Sequence, residues 1–184
     1  MVLAFDDHGV LPVGDHPMTI DQLRESLLVN GPGEERSPRW DKKWRLMLVN
    51  NLEIVAKQLW SVGITQIYID GSFVEDKDHP NDIDGYFECD MYRVRTRKIE
   101  AQLNAAAGFR VWSWSNASRR PHSDSHKREL PIWHKYRVEL YPHCIGMFSG
   151  ILDEFGNSQT FPAAFRKSRR EHRAKGIIKL EAAP

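Results

Sequence analysis

Cysteine is scarce in this chain. Cys89 and Cys144 are the only two in 184 residues, too few for a disulfide scaffold and in keeping with a reducing compartment. Long apolar runs are absent as well; none approaches the roughly 20 residues that span a bilayer, so no membrane partner is expected. The opening "MVLAFDDHGVLPVG" lacks the basic patch and apolar stretch of a secretion signal. These absences predict a cytoplasmic protein. No single sign of charge dominates: 26 Lys and Arg against 25 Asp and Glu leave +1, which implies no particular charged partner. Internal repeats, coiled-coil heptads, a Walker loop, a dinucleotide fingerprint and a nucleophile elbow are also missing.

What is there suits one domain over residues 1–184, long enough to bury a core without staples. Thr19 can cap a helix over "IDQLRESLLVN". Trp40, Trp44, Leu48, Leu52, Val55 and Leu59 recur every three or four residues, which predicts a helix from about residue 39 to 61, ended by Gly63. "ITQIYID" and "DIDGYFEC" read as strands, "MYRVRTRKIEAQLNAAAG" as one helix and "FRVWSWS" as a strand. The polar run "NASRRPHSDSHKRELP" reads as a long loop. "KYRVELYP" and the closing "GIIKLE" read as strands, and "FPAAFRKSRREHRAKG" as partly helical. The opening to Asp15 reads as extended or irregular. The expected class is α+β, a mixed β-sheet flanked by helices.

Chemistry concentrates in "IDGSFVEDKDHPNDIDGYFE". Asp82 and Asp84, two residues apart on a strand, point to the same face. Two such carboxylates can share a hard divalent cation such as Mg²⁺, whose other ligands are often substrate phosphates. Gly71-Ser72 lets backbone amides approach a phosphate and adds a hydroxyl donor. Glu139 lies mid-strand in "RVELY" between apolar neighbours, where an unpaired carboxylate is costly to bury. It joins the two aspartates if the strands are neighbours, and otherwise pairs with Arg137 or Arg110. Glu129 and Asp124 fall in the polar loop, a poor foundation for a metal site. No spacing among His122, His126, His134, His143 and Cys144 matches structural zinc. Both cysteines read as buried thiols.

Basic residues cluster at Arg166, Lys167, Arg169, Arg170, Arg173 and Lys175, at Arg93, Arg95, Arg97 and Lys98, and at Arg119, Arg120, Lys127 and Arg128. They read as solvated faces or as local sites for triphosphate or RNA. Trp112 and Trp114, on one strand face, read as core or sheet surface, with base stacking the alternative.

Hydrophobic-Gly-Ser followed after nine residues by Asp-Ile-Asp resembles the signature of the DNA polymerase beta-like nucleotidyltransferase superfamily, and "RVELY" is similar to its third motif. More narrowly, "LPVGDH", "WHKYRVELYPH" and "KGIIKL" resemble a family of small bacterial and phage proteins with that core. The resemblance implies a nucleotidyltransferase-like sheet, with Asp82, Asp84 and Glu139 as catalytic metal ligands. It also implies Gly71 and Ser72 at the phosphates and Mg²⁺ (or Mn²⁺) as cofactor. The activity implied is transfer of a nucleoside monophosphate from an NTP, ATP included, to a hydroxyl of RNA, protein or a small molecule. The setting implied is a toxin–antitoxin or phage-defence one, with a cognate partner protein. Gly85 departs from the pattern, where a hydrophobic residue is usual. It can loosen the strand beside the site, and it keeps a second reading open: a non-catalytic module that binds nucleotide, RNA or a partner.

Overall fold

The computed structural model describes residues 3–33, 37–122, 125–168 and 171–182. Five strands form a mixed sheet: β1 (Asp15–Thr19), β2 (Ile67–Asp70), β3 (Ile83–Glu88), β6 (Val138–His143) and β7 (Ile177–Glu181), in the order β1-β7-β2-β3-β6. β2 runs antiparallel to β3 and β7, while β1–β7 and β3–β6 are parallel pairs. A separate hairpin pairs β4 (Arg120–His122) with β5 (Ser125–Glu129). The architecture is α+β, a mixed sheet flanked by helices, as the element pattern predicts.

The two faces of the sheet carry different chemistry. Ile67, Ile69, Ile83, Phe87, Val138, Leu140, Ile178 and Leu180 face the long helix α3 (Lys42–Ser61; the helices before it are α1 and α2, below) and pack on its Leu48, Leu52, Val55 and Leu59. That one-sided apolar stripe is what the periodicity of α3 encodes. The opposite face carries Tyr68, Tyr86 and Ile177 under Phe161 and Phe165, which belong to a one-turn helix at Phe161–Phe165 (α7). Farther along that face the side chains turn acidic. Register pairs Asp70 with Asp84 and Asp84 with Glu139, so three adjacent strands place a carboxylate in one row.

Several elements differ from expectation. "DHPMT", to which no element is assigned from sequence, forms β1; a polar edge strand tolerates Pro17, whose missing N–H breaks no ladder. The helix after Thr19 splits into α1 (Ile20–Glu25) and α2 (Leu27–Asn30), because Ser26 adopts an extended backbone and caps Leu28 with its hydroxyl. The helix after Asp90 likewise divides into α4 (Met91–Arg95) and α5 (Lys98–Ala107), with Arg97 left-handed between them at φ 57°. "FRVWSWS" forms no strand. The Asn104 side chain accepts from the backbone N–H of Val111 and Trp112 and donates to the Trp112 carbonyl, so the segment's polar groups are satisfied without a ladder. Trp112 is buried and Trp114 donates to the Leu140 carbonyl at the edge of β6. Trp112 belongs to the core and Trp114 packs against it partly buried, within the expected reading of core or sheet surface. The expected polar loop is the β4–β5 hairpin followed by α6 (Pro131–Tyr136). No helix among the described residues is long and apolar enough to cross a membrane.

Candidate functional site

β2 ends at Asp70, and the chain turns through Gly71 with φ 75° into a 3₁₀ turn, Gly71–Val74. The turn abuts β3 so closely that a Cβ on Gly71 would lie 2.3 Å from Asp84 Oδ2. Only glycine satisfies both the left-handed backbone and that approach. Asp82 precedes β3, and its Oδ2 accepts a 2.6 Å hydrogen bond from the indole N–H of Trp133 on α6. Gly71, Ser72, Asp82 and Asp84 all line one cavity of about 700 Å³. The sequence motif thus lines a single cavity.

Glu139 stands differently. It is beside Asp84 in the row, as expected if the strands are neighbours, but it does not line the cavity. It is 6% exposed, and its oxygens are engaged: the Tyr141 hydroxyl donates to Oε2 at 2.6 Å, while the Leu130 N–H donates to Oε1 at 3.4 Å. Arg119 Nη1 lies 3.3 Å from Oε1. Burial, with the Glu139 charge beside it, holds the Tyr141 phenol well above its usual range. The cation that satisfies Glu139 is therefore Arg119, from before the hairpin. The expected alternative, Arg137, caps α6 in a left-handed conformation and turns back over Trp133, its guanidinium carbon 4.0 Å from the ring centroid.

Among the described residues no group of three or more His, Cys, Asp or Glu is gathered as a metal site. The all-oxygen set of Asp82, Asp84 and the Ser72 hydroxyl on one cavity wall is nevertheless chemically suited to a hard divalent ion.

Residues 3–181 match DUF6932, a family of unknown function. The chain belongs to that family. No curated protein and no solved structure matches it.

The family-wide span of the match includes site residues that motif reading does not reach. Lys175, just before β7, is 2% exposed yet lines the cavity. Its Nζ lies 3.1 Å from Asp70 Oδ1 and 2.5 Å from Glu75 Oε1, and donates to the Gly71 carbonyl at 3.4 Å. Asp70 is as deeply buried. Burial raises its pKa to about 6, with the attraction of Lys175 pulling the other way. Its Oδ1 accepts no aligned hydrogen bond. An ionisable residue inside the apolar strand "IYID" was the available sequence signal for Asp70; Lys175, within a basic run, carried none. Glu129, which reads as a loop residue, ends β5 buried on the cavity wall, with Lys127 Nζ 3.6 Å from its Oε1. The hairpin supplies the strand direction that a loop would lack.

The basic clusters disperse. Lys167, Arg173 and Lys175 reach the cavity, while Arg166 pairs with Asp15 and the Tyr86 hydroxyl. Arg93 and Arg97 are bonded to Gln102 and Glu100 respectively. Arg169, Arg170 and Asp124 lie outside the described residues. Gly85 is no loose point. A Cβ there would come within 2.1 Å of the Tyr68 carbonyl and 2.8 Å of Leu140 Cδ2, so the missing side chain permits close strand packing.

Proposed function

We propose that this protein is a metal-dependent nucleotidyltransferase whose phosphate turn is Gly71-Ser72 and whose metal pair is Asp82 and Asp84. What supports the reading is one observation: the turn and both aspartates line one cavity, with Asp84 Oδ2 against the Gly71 backbone. A bound Mg²⁺ or Mn²⁺ would neutralise charge on the transferring phosphate. The chain's own residues would do the rest. The backbone of Gly71 and the Ser72 hydroxyl hold the phosphates, and Trp133 fixes the orientation of Asp82 through its indole N–H. Lys167 and Arg173 reach the same cavity, paired with Glu154 and Glu171 respectively. Positioning and charge neutralisation are the main work of such transfer. Glu139, held by Arg119 and Tyr141, braces the row from the neighbouring strand.

A second reading, a nucleotide-, RNA- or partner-binding module without catalysis, draws on that same engagement of Glu139, which leaves the cavity two of the three expected carboxylates. Incubation with each labelled NTP, Mg²⁺ or Mn²⁺ and cell extract separates the two. Transfer of label to an acceptor, reduced at least about a hundredfold in a folded Asp84→Asn variant, supports the enzyme; that is the scale lost with one preorganised charge-stabilising group. NTP binding without label transfer supports the module. Neither binding nor transfer with any NTP overturns the enzyme and the nucleotide-binding form of the module.

A further inference from the structure

A second cluster of donors lies apart from the cavity, at the far ends of β3 and β6. Two short sulfur motifs leave these parallel neighbours: Cys89-Asp90-Met91 after β3, and Cys144-Ile145-Gly146-Met147 after β6. The pairing of Glu88 with His143 continues one step, because the Cys89 N–H donates to the His143 carbonyl at 2.8 Å, which brings the two motifs side by side. Cys144 Sγ then lies 3.7 Å from Met91 Sδ and 3.8 Å from Met147 Sδ. Both cysteines are free thiols. None of these residues lines the cavity that holds Asp82 and Asp84.

The spacing has a chemical meaning. Two sulfurs bound to one tetrahedral ion at about 2.3 Å are separated by roughly 3.8 Å, so Cys144 is already at the separation of a co-ligand from each methionine. Thioethers are poor partners for Mg²⁺ and Zn²⁺, whereas a thiolate with thioethers selects Cu(I). The neighbouring His143 keeps a buried Nδ1 with no hydrogen-bond partner, one more soft-to-borderline donor in the same segment. Met91 is 38% exposed, which leaves an entry path from solvent while Cys144 is buried.

We propose that Cys144, Met91 and Met147 form a binding site for a monovalent soft cation, Cu(I). On binding, the Cys144 thiol gives up its proton to solvent, a copper–sulfur bond replaces the S–H bond, and no electron is transferred. The site is independent of the nucleotidyl-transfer reading. It lies at the ends of β3 and β6 away from the acidic row.

The test uses the full chain under anaerobic conditions, with Cu(I) held by a chromophoric chelator. The wild-type protein withdraws one equivalent of Cu(I) from the chelator. The Met91→Leu, Met147→Leu double variant, nearly volume-conserving and so expected to fold, loses at least about tenfold in affinity, no less than outer-shell changes cost at metal sites. Cys144→Ser abolishes the uptake; where that variant fails to fold, protection of the Cys144 thiol from alkylation by Cu(I) in the wild-type protein gives the same information. Failure of the wild-type protein to compete for Cu(I), or a double methionine variant with wild-type affinity, overturns the site.

Discussion

Gly71 and Gly85 sit one residue from opposite partners of the Asp70–Asp84 pair, and both are closed to a side chain, for different reasons. At Gly71 the obstacles are atoms of the Asp84 side chain, its Oδ2 at 2.3 Å and its Cβ at 2.9 Å; at Gly85 the first obstacle is the Tyr68 carbonyl at 2.1 Å, which cannot move without breaking the sheet. The difference predicts two phenotypes. Gly71→Ala loses at least about 1–2 kcal/mol for a left-handed alanine and displaces Asp84, so stabilisation by Mg²⁺ with NTP disappears. Gly85→Ala, an overpacked strand interior, falls at the upper end of the about 1–3 kcal/mol usual for such insertions or beyond it. Thermal melts of both variants with and without Mg²⁺ and NTP check this. A Gly71→Ala protein that keeps the full ligand-induced shift would separate the turn from the site, and a wild-type melting temperature for Gly85→Ala would refute the close-packing account.

At the scale of elements, the segment from the phosphate turn to β3 carries the site without regular structure beyond one 3₁₀ turn, and Arg45 of α3 holds it. Its fully buried guanidinium donates to the carbonyls of Leu28, Phe73, Glu75 and Lys77, and stacks 3.9 Å from the centroid of Trp40. Burial pulls its pKa down to about 9, still above neutrality, so the charge persists at pH 7. Lysine keeps the charge but not the planar fork. Arg45→Lys should orphan at least one of these carbonyls at about 1–3 kcal/mol each and speed amide exchange from Phe73 to Lys77 more than in α3; uniform exchange across the two regions would refute the staple. Arg45 was invisible in sequence because it occupies a position in an apolar helical face without breaking the period. The same logic separates what was legible from what was not. α3, β2, β3, β6 and β7 announce themselves through periodicity within a residue or three of their ends. Their adjacency also places Asp84 beside Glu139 once neighbouring strands are assumed. Helix breaks at Ser26 and Arg97, the Asn104 clasp and the β4–β5 hairpin were hidden, because each depends on one side chain or one left-handed residue in place of a repeating pattern. Arg119 as the partner of Glu139 was hidden for a related reason: the hairpin that delivers it reads as a loop.

For the molecule as a whole, the sheet separates two tasks: its α3 face supplies the apolar core, while its other face buries aromatic rings and then carboxylates. The second face carries a cost that pH can reveal. Asp70 and Lys175 are both nearly inaccessible, and burial of the Asp70 charge outweighs the attraction of Lys175, leaving its pKa raised from 3.8 to about 6. Between those values the folded protein holds a proton on Asp70 that the unfolded chain releases. By linkage, stability contributed by this group is fully present below about pH 4 and is lost as pH rises through about 6. Asp70→Asn removes the titration while keeping the shape, and Lys175 retains Glu75 as counter-ion. The expected result is a wild-type protein that gains stability relative to Asp70→Asn as pH falls from 7 to 4.5, measured by denaturant unfolding at constant ionic strength. Comparison with the variant matters because every other carboxylate titrates in both proteins and cancels in the difference. A difference that stays flat across this range would mean Asp70 is ionised at its ordinary pKa, with Lys175 fully offsetting burial. A difference that shrinks on acidification would mean the ion pair dominates and the buried pair stabilises the sheet as a charged unit.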